Sequence, residues 1–122
     1  MAKFREFETS SGKKVLGGKS AQNNEELIKQ VEPEEIVLHT AKPGSPFVNI
    51  KGKATKKDIE EAAIFCARYS QDWRDNKQDV VVHVFKGKDI YKDKKMKLGT
   101  FGVKKFKAIK IKKEDIERFK NE

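Results

Sequence analysis

The sequence predicts a single α+β domain with a mixed or largely antiparallel sheet, two main helices packed on it and a short C-terminal helix. Three observations lead to this fold class. Short alternating or apolar segments bounded by glycine, proline and serine recur along the chain, as is typical of strands. Two segments with the helical period and polar starts separate these strands. The 122 residues suffice for one modest core, and no linker or repeat divides residues 1–122.

The first half of the chain is predicted to form a hairpin, a helix and two further strands. Residues 4–16 hold two strand-like segments around a Ser-Ser-Gly turn. Ser20 is placed to cap a helix over residues 21–30, and a proline shortly afterwards ends it. Strands at 35–39 and 47–50 follow, joined by a loop that contains two of the three prolines.

The second half is predicted to contain a long helix and the strongest strand. Thr55 and Asp58 match a capping box for a helix that runs to about Trp73, with small residues along one face. Residues 80–85 are largely apolar, which predicts a central strand buried on both faces. The remaining predicted elements are a short strand or turn at 89–92, a strand at 106–111 and a helix at 114–120. The helices are expected on one side of the sheet.

The loop between the strands at 35–39 and 47–50 has features of an anion-binding segment. Proline fixes φ and removes a donor, so the remaining amides of this loop should point in set directions. Lys42, Gly44 and Ser45 lie in the loop, His39 enters it, and Lys51 follows the second strand. Such a rigid, glycine-containing turn with cations suits a phosphate. An ordinary hairpin connection is the alternative.

Positive charge is concentrated in one part of the chain. The whole sequence carries +9, whereas residues 86–113 contain twelve lysines and two aspartates, a net charge of +10. One-signed charge in one segment favours nucleic acid as a partner. A membrane surface is disfavoured because this segment lacks an amphipathic helix with a broad apolar face.

Other residue types limit the remaining functions. The lone Cys66 cannot form an internal disulfide, and its small apolar neighbours predict a buried hydrophobe. No apolar run approaches ~20 residues and the start lacks a signal peptide, so we expect a cytoplasmic protein. His39 and His83 are the two histidines, and no acidic pair or metal-ligand cluster accompanies them. The sequence therefore predicts no metal, no cofactor and no catalytic residue.

Four blocks, in order, resemble the NFACT-R domain, the RNA-binding domain of the NFACT proteins. The blocks are residues 18–27 (GKSAQNNEEL), residues 36–48 (IVLHTAKPGSPFV), the Ala-rich helix at 60–73, and the closing segments at 90–92, 99–103 and 108–111. The resemblance implies a stand-alone RNA-binding domain over residues 1–122 that binds tRNA or rRNA, with the large ribosomal subunit as a further partner. Asn23 departs from the family's usual glutamine, and Asp93 and Leu98 replace prolines.

The predicted RNA-binding residues come from three segments, namely the start of the first helix, the loop between the strands at 35–39 and 47–50 with its flanks, and the basic segment. The residues at the start of the first helix could bind an anion through their backbone amides. The alternative is that this segment only caps the helix. Lysines of the basic segment are expected to contact phosphates, and two aromatic residues among them could stack on bases. The set is Lys19, Gln22, Asn23, His39, Lys42, Gly44, Ser45, Lys51, Tyr91, Lys92, Lys94, Lys95, Lys97, Phe101, Lys104 and Lys105.

Two other function classes remain open. An RNA-modifying or RNA-processing enzyme, or a subunit of one, would use His39 as an acid–base group. A protein-interaction module would use the lysines to bind an acidic partner. The sequence does not distinguish a particular RNA or an oligomeric state.

Overall fold

A computed structural model describes residues 3–120 and confirms the α+β fold class. The elements are β1 (Arg5–Glu8), β2 (Lys14–Gly17), α1 (Ala21–Lys29), β3 (Ile36–Thr40), β4 (Val48–Ile50), α2 (Lys56–Arg68), α3 (Gln71–Asn76), β5 (Val80–Lys86), a 3-10 turn (Gly87–Asp89), β6 (Ile90–Tyr91), β7 (Gly102–Val103), β8 (Lys107–Ile111) and α4 (Lys113–Arg118). Six strands form one sheet in the order β1-β2-β4-β3-β5-β8, and β6 and β7 form a separate ribbon. All pairings between the described strands are antiparallel.

Both predicted helix starts are confirmed. The Ser20 hydroxyl accepts the Asn23 N–H at 3.1 Å and so caps α1. At the start of α2, the Thr55 hydroxyl accepts the Asp58 N–H while the Asp58 carboxylate accepts the Thr55 N–H. Asp58 also accepts the Ser11 hydroxyl at 2.6 Å, which ties α2 to the β1–β2 turn and lowers the Asp58 pKa.

The prediction of one helix running to about Trp73 is wrong. The helix α2 ends at Arg68 with Tyr69 as its C-cap, and the separate helix α3 begins at Gln71. Ser70 causes the break, because its hydroxyl donates to the Ala67 carbonyl at 2.7 Å and accepts the Trp73 N–H at 3.1 Å. One side chain thus satisfies a carbonyl at the end of α2 and an amide at the start of α3.

The expectation that the helices share one side of the sheet is also wrong. Val15 and Leu38 point into a core built with α2 and α4, whereas Leu16 and Val37 point to the opposite face, under α1. Neighbouring residues of a strand face opposite sides, so adjacent apolar pairs in β2 and β3 require cover on both faces. The short helix α1 supplies Leu27 to the second face.

The strand β5 lies inside the sheet, between β3 and β8, but it is not buried on both faces. Val80 and Val82 are buried against α2, whereas Val81 is 36% exposed and His83 is partly exposed on the other face. The apolar cluster under α1 reaches Phe85 and does not include Val81. Part of the sheet therefore remains open beside the apolar cluster under α1, and this opening leads into a cleft.

Candidate nucleic-acid interface

A cleft of about 740 Å³ lies at the end of the sheet where β3 ends and β4 begins. Its walls include residues of the β2–α1 loop, the β3–β4 loop, α3, the ribbon and the residue before β8. The lining includes Lys19 from the β2–α1 loop, His39, Gly44 and Ser45 from the β3–β4 loop region, and Phe101 from the basic segment, which are three separate segments of the sequence. The fold thus brings five of the predicted RNA-binding residues around one opening.

The β3–β4 loop is held by hydrogen bonds from its own side chains. The Ser45 hydroxyl accepts the Thr40 N–H at 3.1 Å, and the Thr40 hydroxyl donates to the Lys42 carbonyl at 2.6 Å. Gly44 has φ +85°, and its carbonyl accepts the Gln71 N–H of α3 at 2.7 Å. A Cβ at Gly44 would lie 2.8 Å from Gln71 Cβ, so the turn requires glycine for both conformation and space.

The β2–α1 loop is fastened to the β3–β4 loop through Asn24. Its side-chain oxygen accepts the Phe47 N–H at 3.1 Å, and Gly18 leaves the space that this side chain occupies. The Lys19 N–H donates to the Asn23 side-chain oxygen at 2.9 Å, so that oxygen is used within the helix start. Gln22 is exposed on α1 but does not line the cleft.

His39 lines the cleft as a partly exposed, neutral ring. Its Nδ1 is 2.8 Å from the Thr40 carbonyl oxygen, and its ring centre is 4.5 Å from that of Phe47. Burial lowers the His39 pKa below its usual value of 6.5. Because a carbonyl can only accept, Nδ1 carries the proton, and Nε2 of the neutral ring is an acceptor.

His83 and Phe106 form an aromatic pair that the sequence analysis missed. His83 lies directly opposite His39 in the β3–β5 register, and its ring stacks on Phe106 with centres 3.9 Å apart and planes at 21°. Phe106 is 48% exposed. The available signal was its position between Lys105 and Lys107, which marks an apolar ring inside a basic stretch. We name this pair the His83–Phe106 stack.

The two aromatic residues predicted to stack on bases have different surroundings. Phe101 lines the cleft and packs edge-on against Phe47, with ring centres 5.3 Å apart. Tyr91 is 44% exposed on the ribbon, away from the cleft lining. Its ring covers the backbone of Gly102, where a Cβ would lie 2.1 Å from Tyr91 Cζ.

The cleft carries positive charge and no acidic lining. Its described lining contains Arg5, Lys19 and Arg74 but no aspartate or glutamate. The Arg5 guanidinium lies 4.0 Å above the Tyr69 ring. Lys42, just outside this lining, is 3.7 Å from Asp72, so its charge is partly balanced. The cleft is therefore suited to an anionic ligand.

Lys92 stabilises the conformation of the basic segment through hydrogen bonds. Its ammonium donates to Glu25 Oε2 and the Lys97 carbonyl, both at 2.6 Å, and to the Thr100 carbonyl at 2.8 Å. Glu25 also accepts the Gly99 N–H at 2.7 Å. The Lys92 hydrogen bond lowers the Glu25 pKa. This cluster fastens the β6–β7 loop to α1, so we call it the Lys92 anchor.

The other predicted phosphate-binding lysines of the segment are available to a ligand. They are exposed, and within residues 3–120 no carboxylate lies within 4.0 Å of their ammonium groups. We call them the free lysines, and they are Lys94, Lys95, Lys97, Lys104 and Lys105. Two of them immediately precede Phe106 at the cleft.

Lys51 lies away from this opening. It follows β4, at the end of the strand opposite the cleft, and its ammonium is 2.8 Å from both Glu35 Oε1 and Gln30 Oε1. The hydrogen bonds from the Gly52 N–H and Lys51 lower the Glu35 pKa despite the opposing effect of burial. The structure thus gives Lys51 a role in joining the end of α1 to β4.

Cys66 and the remaining polar groups do not form a second centre. Cys66 is fully buried, and burial raises the pKa of its thiol to about 12, which confirms the prediction of a buried hydrophobe. Among residues 3–120, no group of three or more histidine, cysteine or acidic side chains could hold a metal ion. No helix in the same range is long and apolar enough to cross a bilayer.

Comparisons with known proteins agree with this fold. The sequence model of the NFACT protein RNA binding domain matches residues 3–105. The archaeal Rqc2 homolog aRqcH of Methanocaldococcus jannaschii is 36% identical over 64 residues, covering 49% of this chain and 10% of that protein. The C-terminal part of the fibronectin/fibrinogen-binding protein from Streptococcus suis has the same fold, with a TM-score of 0.84 and 20% identity over 99% of this chain and 50% of that chain. The chain belongs to the NFACT protein RNA binding domain family and is an RNA-binding module.

Proposed function

We propose that this domain binds structured RNA, tRNA or rRNA, across the cleft and the free lysines. The observation that carries the proposal is the cleft itself, whose described lining combines cations with aromatic rings and contains no carboxylate. Lys104 and Lys105 extend the same positive surface from the cleft into the basic segment. A polyanion that crosses both regions would meet positive charge along its path.

The free lysines would supply most of the affinity. Each ammonium that contacts a phosphate releases condensed counterions, and log K then falls with log salt by a slope of roughly 0.7 per contact on single strands to roughly 0.9 per contact on B-form DNA. Such contacts are independent of sequence. They position the RNA and leave recognition to the cleft.

The cleft would supply shape and sugar recognition. The neutral His39 offers Nε2 as an acceptor, which a ribose 2′-hydroxyl or a base amine can satisfy. Lys19 and Arg74, which both line the cleft, can contact flanking phosphates. The resemblance to NFACT-R adds the large ribosomal subunit as the expected setting for the bound RNA.

Binding should be measured by fluorescence anisotropy with labelled tRNA and rRNA fragments over 50–200 mM salt. The test variant reverses three free lysines, Lys94→Glu, Lys95→Glu and Lys97→Glu. The control variant makes the same charge change at the other end of the domain, with Lys53→Glu, Lys56→Glu and Lys57→Glu, all of which are exposed positions. The test variant should lose about 2–3 units of salt slope, and the control less than about 0.5.

Two results would contradict the proposal. Failure of the wild-type domain to bind any RNA at 50 mM salt would remove the function itself. Equal losses in the test and control variants would show that overall charge, rather than the basic segment, determines binding.

The same preparations separate the two other function classes. Competition by polyglutamate at the same charge concentration as RNA would favour a protein-interaction module for an acidic partner. A His39→Gln variant that retains RNA affinity but loses an RNA-modifying turnover would favour an enzyme with His39 in an acid–base role.

A further inference from the structure

The His83–Phe106 stack leaves a large aromatic side chain exposed to solvent. One face of the Phe106 ring is covered by His83 at 3.9 Å, yet the residue remains 48% exposed. His83 covers one of the two ring faces, and about half of the residue remains accessible to a ligand. A large apolar surface in water is more informative about binding than a buried one.

Exposed lysines flank Phe106 along the chain and occupy the neighbouring open part of the sheet. Lys104, Lys105 and Lys107 are its sequence neighbours, and all three are exposed. Lys110 lies opposite Val81 in the β5–β8 register, on the same open part of the sheet. The cleft that the ring lines has no carboxylate among its described residues.

This combination identifies the chemistry of the occupant. An acidic peptide would use the lysines but offers no flat ring to Phe106, and an apolar peptide would leave the lysines without partners. A nucleotide uses both, because its base has a π face and its phosphate is anionic. The cleft volume of about 740 Å³ lies in the range that holds such ligands.

We propose that the His83–Phe106 stack is a binding site for one unpaired nucleobase, which stacks on the free face of Phe106. The inference rests on the proposed RNA-binding function and adds the kind of RNA that is recognised. Bases inside an RNA helix are stacked on their neighbours and cannot offer a face, so the site selects loops, bulges or single strands.

His39 lies close enough in the fold to assist recognition of the stacked nucleotide. It is opposite His83 in the register, on the neighbouring strand, and it lines the same cleft. Its acceptor Nε2 can receive a hydrogen bond from a base amine or a 2′-hydroxyl, while the stack itself tolerates any base.

The test compares a hairpin RNA carrying 2-aminopurine in its loop with a fully paired duplex built from the same stem. Binding of the wild-type domain should quench the 2-aminopurine fluorescence. Phe106→Ala should weaken hairpin binding by roughly 5- to 150-fold and leave duplex binding and the salt slope unchanged. Phe106→Tyr should retain both the affinity and the quenching.

Two matched controls isolate stacking from apolar contact. Leu98→Ala removes another exposed apolar side chain, 56% exposed in the basic segment, and should leave hairpin affinity unchanged. Phe106→Leu keeps an apolar side chain without a π face and should behave like Phe106→Ala. Unfolding temperatures close to that of wild type would show that the variants fold.

The outcomes distinguish this inference from the proposed function. If the wild type binds the hairpin and the duplex equally and Phe106→Ala changes neither, RNA binding stands and the base site is refuted. A Phe106→Leu variant with wild-type affinity and quenching would also refute stacking. If the wild type binds neither RNA, the proposed function fails together with the inference.

Discussion

Replacing Lys92 with methionine should destabilise the domain without reducing the salt dependence of RNA binding. The Lys92 ammonium donates to three oxygens, one of them on Glu25, and the two side chains are only 32% and 15% exposed. Hydrogen bonds to charged groups contribute roughly 1.5–3 kcal/mol, and partial exposure of Lys92 reduces this. We expect the free energy of unfolding to fall by about 1–2 kcal/mol, or Tm by about 3–10 °C.

The matched control is Lys94→Met, two residues further along the same segment. Lys94 is exposed, and no carboxylate of the described residues lies within 4.0 Å of its ammonium group. Its replacement should leave Tm within about 1 °C. If Lys94 contacts a phosphate, the salt slope should fall by about 0.9, which changes the ratio of affinities between 50 and 200 mM salt about 3.5-fold.

Thermal unfolding followed by circular dichroism and anisotropy titrations at four salt concentrations provide the two readouts. Lys92→Met should change the first readout and Lys94→Met the second. The reasoning is refuted if Lys92→Met leaves Tm unchanged and lowers the salt slope by about 0.9. That result would mean that the Lys92 ammonium contacts RNA rather than fastening the β6–β7 loop to α1.

Three further predictions concern stability. Gly44→Ala should lower the free energy of unfolding, measured in urea titrations, by about 2–3 kcal/mol. Gly52→Ala is also at positive φ but has open space around it, so it should lower the free energy of unfolding by about 1 kcal/mol. Equal losses would contradict the close contact at Gly44. Because hydrogen bonds lower the Asp58 pKa, wild-type stability should decline as the pH falls below 3.8, and Asp58→Asn should flatten that decline. Because burial lowers the His39 pKa, the unfolded chain binds more protons below pH 6.5; stability should therefore fall as the pH drops through this range, and a His39→Gln variant with an unchanged pH profile would contradict this.

Local signals were sufficient for the starts of α1 and α2 and for the fold class. The Ser20 cap and the Thr55–Asp58 capping box depend on side chains within three residues of the groups they satisfy, so a single sequence reveals them. The break between α2 and α3 also rests on a local serine. It was missed because a mid-helix serine can equally well remain inside a continuous helix, and only the observed hydrogen bonds of Ser70 decide the matter.

The placement of the helices needed the tertiary structure. Two adjacent apolar residues in a strand, such as Val37 and Leu38, show that both faces are buried, but they do not show which helix covers each face. Because α1 and β5 are far apart in sequence, the sequence also does not show that α1 covers Phe85 but leaves Val81 partly exposed. This partial cover leaves the cleft open.

The sequence by itself determined the composition of the candidate site: a basic segment, a stiff loop with His39, and ordered blocks that resemble one RNA-binding family. Only the tertiary structure decided how those parts are used. It assigned Lys92 and Lys51 to internal ion pairs, and it placed His83 against Phe106 at the cleft. The physical reason is that charge and residue type are properties of single positions, whereas pairing, stacking and exposure depend on which distant segments meet in space. A lysine count therefore predicts an anionic partner, and the fold alone separates the lysines that hold the domain together from those that face a ligand.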